Sequence, residues 1–321
     1  VTTISRQLAI YLAVGAGLGG TALSGNAFLI QTAIGIAISA ILALSWDILS
    51  RTGQVSLGHS AFFGIGAYGS GLLTPQFGAV LGWLCAILLC ALAAILLGLV
   101  TLRLRRLYFT IATMSFGLSM QVLILVTPGI TGGSTGIMPP VLMEGSPAAQ
   151  LVLIAVFLIV AAMVSDILLG GRFRPAFFMI RSNPALAASS GVPVVATKVA
   201  TFAVSGMIAG VAGACYAGLY GYVIPEDVFT PNWSVLPLAV SILGGMDTTL
   251  GPILGALVLR LLEELARHIV GGTGYQVVYG AVIILFILLL PKGLVGGMAL
   301  LRRRTAGSPD LVAAPGNGRL A

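Results

Sequence analysis

Charge is what this sequence has least of. Only 8% of its 321 residues are Asp, Glu, Lys or Arg, whereas a soluble domain carries about 25%. That shortage excludes an ordinary water-facing enzyme or binding domain. Cysteine is scarce too. Cys85, Cys90 and Cys215 all lie inside apolar runs and no pair has metal-ligand or redox spacing, so they read as small buried hydrophobes. Of the two histidines, His59 follows a glycine and has no His, Cys or carboxylate at ligand spacing. It reads as a hydrogen-bonding residue at a helix start, and no metal site is expected. Phosphate-loop, metalloprotease-helix and hydrolase-elbow motifs are all missing. The chain is therefore not expected to be an enzyme, and any energy that drives it must be captured elsewhere.

What is present is apolar. Hydrophobic residues make up 58% of the chain, mean hydropathy is +1.08, and there are 43 glycines. This is the composition of an all-α polytopic membrane protein, in which small residues let helices approach closely. The net charge of +7 does not indicate nucleic acid, because no basic amphipathic face with interleaved aromatics accompanies it. A spanning helix needs about 20 mostly apolar residues. Ten such runs are found, at 8–23, 28–49, 56–74, 79–101, 107–127, 149–170, 198–222, 233–246, 250–268 and 275–290. The eighth is short enough to be a half-helix or a re-entrant segment. The first follows Arg6 without a clear cleavage site and is expected to be retained.

Alternating these spans from a cytoplasmic Arg6 segregates the charges. Inner loops hold Arg51, then Arg103, Arg105 and Arg106, then Arg172, Arg174, Arg181 and Lys198, then Lys292, Arg302 to Arg304 and Arg319; only Arg260 and Arg267, in the ninth span or at its outer end, fall outside this set. Outer loops hold Glu144, Glu226 and Asp227. Positive residues stay inside in multi-pass proteins, so an even span count with both termini cytoplasmic is expected. Residues 1–304 would form one transmembrane domain, and the polar 305–321 a disordered tail. The longest outer loop, 128–148, reads as a turn-rich lid.

Between spans six and seven lies a distinct island, GGRFRPAFFMIRSNPALAASSGVPVVATK, residues 170–198. Asn183 is a good N-cap and Pro184 costs nothing in a first turn. Gly191 suits the left-handed residue that ends a helix, and Pro193 follows. About two turns of helix are specified at both ends, too short to stand alone in water. Such an element must lie on a surface, and it reads as one that another protein pushes on.

Charges in the spans are costly and so are candidates for function. Asp47 and Arg51 are one turn apart, as an interfacial ion pair would be. Glu263 and Glu264 lie with Arg260 and Arg267 at spacings of three and four. That stripe, placed near the outer end of the ninth span, is compatible with an ion relay or with self-neutralising packing. No carboxylate is read deep in spans four, five, six or ten, which argues against proton coupling. Glycines cluster in GQVSLGHSAFFGIGAYGSGLL (53–73) and in LGGMDTTLGPILGA (243–256). They mark places where a helix or a ligand comes close, or where a helix breaks beside a polar route.

Five pieces in order, GQVSLGHSAFFGIGAY (53–68), TGGSTGI (131–137), RSNPALAASSGVPVVATKVATFAVSGMIAGVAGACYA (181–217), LGGMDTTLGPILGA (243–256) and PKGLVG (291–296), resemble the LivM family. These are inner-membrane permease subunits of bacterial ABC importers for branched-chain amino acids and related solutes. The resemblance runs over roughly residues 28–296. It implies the ABC-importer permease fold and a LivH-like second permease. It also implies two ATP-binding subunits that hold ATP-Mg, and an extracytoplasmic solute-binding protein. No cofactor is implied in this chain itself. The resemblance makes Arg181, Ser182, Asn183, Pro184, Ala185, Leu186, Ala187, Ala188 and Gly191 the coupling helix that meets an ATPase. One departure stands out: the family usually carries more charge in that helix. The solute route is expected along Gln54, Ser56, His59, Phe62, Phe63, Gly64, Gly66 and Tyr68, and past Gly244 and Gly245. The rival readings are a secondary transporter, which would need coupling carboxylates, and a passive channel for urea or an amide, which would need no coupling helix.

Overall fold

A computed structural model describes residues 2–270 except positions 24, 105 and 172, together with scattered positions between 277 and 297. The helices are α1 Thr2–Leu23, α2 Ala27–Ser50, α3 His59–Phe77, α4 Ala79–Thr101, α5 Arg106–Leu125, α6 Pro128–Thr131, α7 Pro147–Leu169, α8 Phe173–Ser182, α9 Pro184–Ser189, α10 Val194–Tyr220, α11 Pro225–Val228, α12 Asn232–Gly244 and α13 Leu250–Val270. Among the described residues, α2, α4, α7 and α10 in full, and α5 from Leu107, are long and apolar enough to cross a membrane. Nine expected spans have a helical counterpart. The tenth, 275–290, falls largely outside the described residues, as does the 305–321 tail.

The sequence specifies many of the helix ends. Asn26 caps α2 by accepting from Phe28 N at 3.0 Å, and Ser146 caps α7 with Pro147 behind it. Gly221 closes α10 in the left-handed region at φ 62°. One helix was not anticipated. The sequence specifies a single short helix between spans six and seven, yet α8 precedes it. Arginines mask its amphipathic pattern: Phe177 and Ile180 are buried while Phe178 is exposed.

α2 is the axis of the bundle. From Ala37 to Leu49 its side chains are almost wholly buried, against α7, α10, α12 and α13. α3, α4 and α10 form a second, tighter unit. A side chain on Gly66 would collide with the backbone of Gly210, and one on Gly213 with the backbone of Phe63. Since lipid is as apolar as a helix surface, such contacts hold helices together through close packing rather than hydrophobic burial.

Two stretches carry irregular backbone into the bundle. Residues 51–58 are mostly buried, and α3 starts deep: His59 Nε2 lies 3.1 Å from Ser205 Oγ, well inside α10. The stretch is satisfied locally. Trp46 Nε1 donates to Ser56 O, Thr110 Oγ1 donates to Val55 O, and Leu57 N donates to Thr113 Oγ1. The second stretch runs antiparallel along α3. Tyr68 Oη donates to Val223 O at 3.4 Å, the Phe229 ring fills the space beside Gly64, and Ser60 N donates to Ser234 Oγ at 2.9 Å. Residues 222–231 therefore descend into the bundle, and α12 starts inside it. Its 13 residues make it a half-length helix, as the short eighth run allowed. Irregular backbone survives at membrane depth only when buried in protein or lining a watery cavity.

Candidate functional site

The candidate coupling element has the expected local chemistry. Asn183 Oδ1 accepts from Ala185 N at 3.0 Å and Leu186 N at 3.2 Å. Gly191 takes φ 84°, and Val192 N donates back to Ala187 O. Ala187 is the buried contact of α9, while Ser182, Asn183, Pro184, Ala185, Leu186, Ala188 and Gly191 are exposed. The helix therefore presents an almost uncharged face of small groups around an exposed Leu186.

Behind this face lies a chain of polar contacts that the sequence indicates only in part. Arg181 Nη1 meets Asp247 Oδ2 at 2.8 Å in a half-exposed bridge. Asp247 sits in the α12–α13 turn at φ 61°, a left-handed conformation that Asp tolerates better than most residues. Its N–H donates to Asp47 Oδ1 at 3.0 Å. Asp47 Oδ2 takes both Nε (3.0 Å) and Nη2 (2.6 Å) of Arg51. Arg51 also reaches α7, donating to Ser165 O at 2.9 Å and Ser165 Oγ at 2.6 Å. Ser165 Oγ lies 3.1 Å from Thr249 Oγ1, and Asp166 accepts from both Thr249 and Tyr11. A consistent donor order runs from Arg51 through Ser165 and Thr249 to Asp166. The expected Asp47–Arg51 pair is present, with both side chains all but sealed. It knots α2, α7 and the α12–α13 turn together at the end of the bundle that carries α8 and α9. A cavity of about 420 Å³, lined by Arg51, Arg174, Phe178, Arg181 and Asp247, opens beside it.

The expected route residues are packed inside the bundle. Gln54, Ser56, His59, Phe62, Phe63, Gly64, Gly66 and Tyr68 are all buried. Phe63 stacks on Trp233 with centroids 4.2 Å apart, and Phe62 meets Phe202 edge-on at 5.3 Å. Gln54 Oε1 and His59 Nδ1 have no partner among the described residues. Gly244 and Gly245 lie where α12 meets α13; a side chain on Gly244 would collide with the backbone of Gly251. The α12–α13 crossing depends on that bare backbone.

The acidic–basic stripe of α13 is paired as its spacing implies: Arg260 to Glu263 at 2.8 Å and Arg267 to Glu263 at 3.1 Å. The stripe begins at mid-helix and runs toward the end of α13. Arg260 is the eleventh of 21 residues in α13 and donates to Ser39, the thirteenth of 24 in α2. Arg260 therefore sits at the middle of both helices, and Arg267 close to the end of α13. Asp166 was not singled out because it lies close to the end of its run; its partners Tyr11 and Thr249 are 155 and 83 residues away.

These features sit on a chain whose residues 28–289 match the family described as branched-chain amino acid transport system / permease component. The chain belongs to that family. The permease is 31% identical over 299 residues to the high-affinity branched-chain amino acid transport system permease protein LivM of Escherichia coli, covering 83% of this chain and 68% of that protein. It is 26% identical over 276 residues to the autoinducer 2 import system permease protein LsrC of an Enterobacter strain, covering 81% and 78%. A shorter match, 31% over 134 residues, links it to a probable branched-chain amino acid transport permease protein LivH of Methanocaldococcus jannaschii, covering 39% and 41%. No solved structure matches the permease. It is a multi-pass membrane permease whose relatives are transport subunits rather than enzymes.

Proposed function

We propose that this chain is one of two permeases in an ATP-driven importer of the bacterial inner membrane. A LivH-like subunit would be its partner, and an extracytoplasmic protein would deliver the solute. Two ATP-binding subunits would hold ATP-Mg and dock on the face around α9. The carried solute would be a branched-chain amino acid or a related small polar molecule. In this reading the chain has ten spans with both termini cytoplasmic, and the end bearing α8 and α9 faces the cytosol. The route is bounded by the Gln54–Tyr68 stretch and by Gly244 and Gly245.

One observation carries the reading. A short helix with both ends capped, exposed on all but Ala187, is tied by Arg181 and Asp247 to a buried ionic knot joining three parts of the bundle. A passive channel has no use for such an element. ATP binding can shift the bundle only through different affinities for its two states, and the knot is where a push on α9 would be felt by α2, α7 and α13.

The test is ATP hydrolysis by the reconstituted importer with Asn183→Gly, Pro184→Gly and Leu186→Asp combined. Stimulation by the binding protein should collapse while the complex still inserts. Normal stimulation with that helix ruined would remove α9 from the coupling path, and uptake without any ATPase would favour a channel or carrier.

A further inference from the structure

A second polar site lies between α12 and α13, level with the middle of α2. It is a cavity of about 160 Å³ lined by Asn232, Trp233, Leu236, Ala239, Arg260 and Glu263, among others. Charges so deep in a membrane domain are rare and normally face a water-filled route. The surroundings agree. The segment 222–231 leads down to this level along α3 and leaves Glu226 and Asp227 exposed, which lipid would not tolerate.

The valences of the pair are only partly used. Arg260 spends Nε on Ser39 at 2.7 Å and Nη1 on Glu263 at 2.8 Å, and Nη2 takes no partner among the described residues. A guanidinium has five N–H donors, so donors remain for a carboxylate. Glu263 keeps acceptor capacity beyond its two arginine contacts. The exposed Asn232 has no side-chain hydrogen bond among the described residues. Leu236, Ala239 and the Trp233 ring give the remaining wall an apolar character.

We propose that this cavity holds a small zwitterion in passage, an α-amino acid with a short apolar side chain, its carboxylate on Arg260 and its ammonium on Glu263. The stripe Arg260, Glu263, Glu264 and Arg267 carries no net charge when the cavity is empty. A zwitterion adds one charge of each sign, so no stage leaves net charge buried. An uncharged amide can hydrogen-bond to either group but brings no charge to match both at once. The site rests on the importer reading for its route, but its binding chemistry can be tested separately.

Two measurements on the assembled complex do so: equilibrium binding of radiolabelled leucine in detergent without binding protein, and leucine uptake in vesicles with it. Glu263→Gln and Arg260→Gln should each lower both at least tenfold. Val235→Trp fills the cavity from its exposed rim and leaves both charges in place, so it should lower both similarly. Glu264→Gln, beside the pair but outside the cavity lining, should change neither by more than twofold. Wild-type leucine binding in Val235→Trp and Glu263→Gln would overturn the site. So would a wild-type complex that binds and carries acetamide but not leucine, and that result would leave the importer reading standing. Leucine binding that depends on Glu263, in a complex showing no ATP-driven uptake, would keep the site and sink the importer reading.

Discussion

The Asp47–Arg51 and Arg260–Glu263 pairs are built to opposite ends. Asp47 and Arg51 are sealed, with side chains 0% and 2% exposed, and nearly every donor and acceptor is spoken for by α7 or by the α12–α13 turn. Arg260 and Glu263 are 22% and 14% exposed, both line one cavity, and leave donors unused, whereas only Arg51 of the sealed pair reaches a cavity wall. The ion pairing is alike, but the surroundings differ. A saturated pair can transmit a displacement, because every neighbour must move with it. An unsaturated pair can accept a ligand. The contrast assigns mechanics to the first and recognition to the second.

The largest effect should come from breaking the sealed pair. Arg51→Met or Asp47→Leu alone leaves an uncompensated buried charge, which costs about 3–5 kcal/mol. Thermal unfolding of the purified complex should register that loss. The double variant should recover most of the stability, because paired apolar replacements are often neutral, yet binding-protein-stimulated ATP hydrolysis should stay low. Singles whose costs simply add in the double would mean that the two residues do not act as a unit.

A smaller loss follows from Ser165→Ala, which deletes the hydroxyl between Arg51 and Thr249. A hydrogen bond to a charged group contributes about 1.5–3 kcal/mol, so the thermal midpoint should fall by less than in either single charge variant. Glu263→Gln should cost less than Asp47→Leu, because this pair is less completely buried, while leucine transport falls at least tenfold. If Glu263→Gln instead destabilised the complex as much as Asp47→Leu, the open pair would be structural and the contrast would fail.

The sequence conveyed what is local and little of what is not. Asp47 and Arg51 could be paired from their spacing of four, and Asn183 and Gly191 could be read as helix ends, because each depends on neighbours within one or two turns. Asp247 could not be matched to Asp47, 200 residues away, nor Asp166 to Tyr11 and Thr249, since nothing in a linear pattern records which runs lie side by side. Helix α8 hid behind its arginines. The neighbour of Arg260 was not legible either, because a hydropathy window finds where a span lies but not the level at which another helix meets it. The bond to Ser39 sets that arginine against the middle of α2.

The smallest effect on stability should give the most informative effect on mechanism. Arg181 and Asp247 form a half-exposed bridge, 41% and 48% by side chain, and exposed pairs contribute roughly 0–1 kcal/mol. Arg181→Ala should therefore leave the thermal midpoint within a few degrees of wild type. Yet this bridge is a direct polar link from the end of α8, next to α9, to the turn whose N–H grips Asp47. If that link carries the push, Arg181→Ala should lower uptake per ATP hydrolysed several-fold, with hydrolysis less affected. Asp247→Asn keeps the backbone N–H on Asp47 and removes only the carboxylate charge that faces Arg181, so it should reproduce the uncoupling without loosening the knot. Reversal of the bridge, Arg181→Asp with Asp247→Arg, should restore part of the coupling. An unchanged transport-to-hydrolysis ratio in all three variants would leave the sealed pair as a brace for the bundle, and the push from α9 would have to travel through the apolar contacts of Phe177 and Ile180.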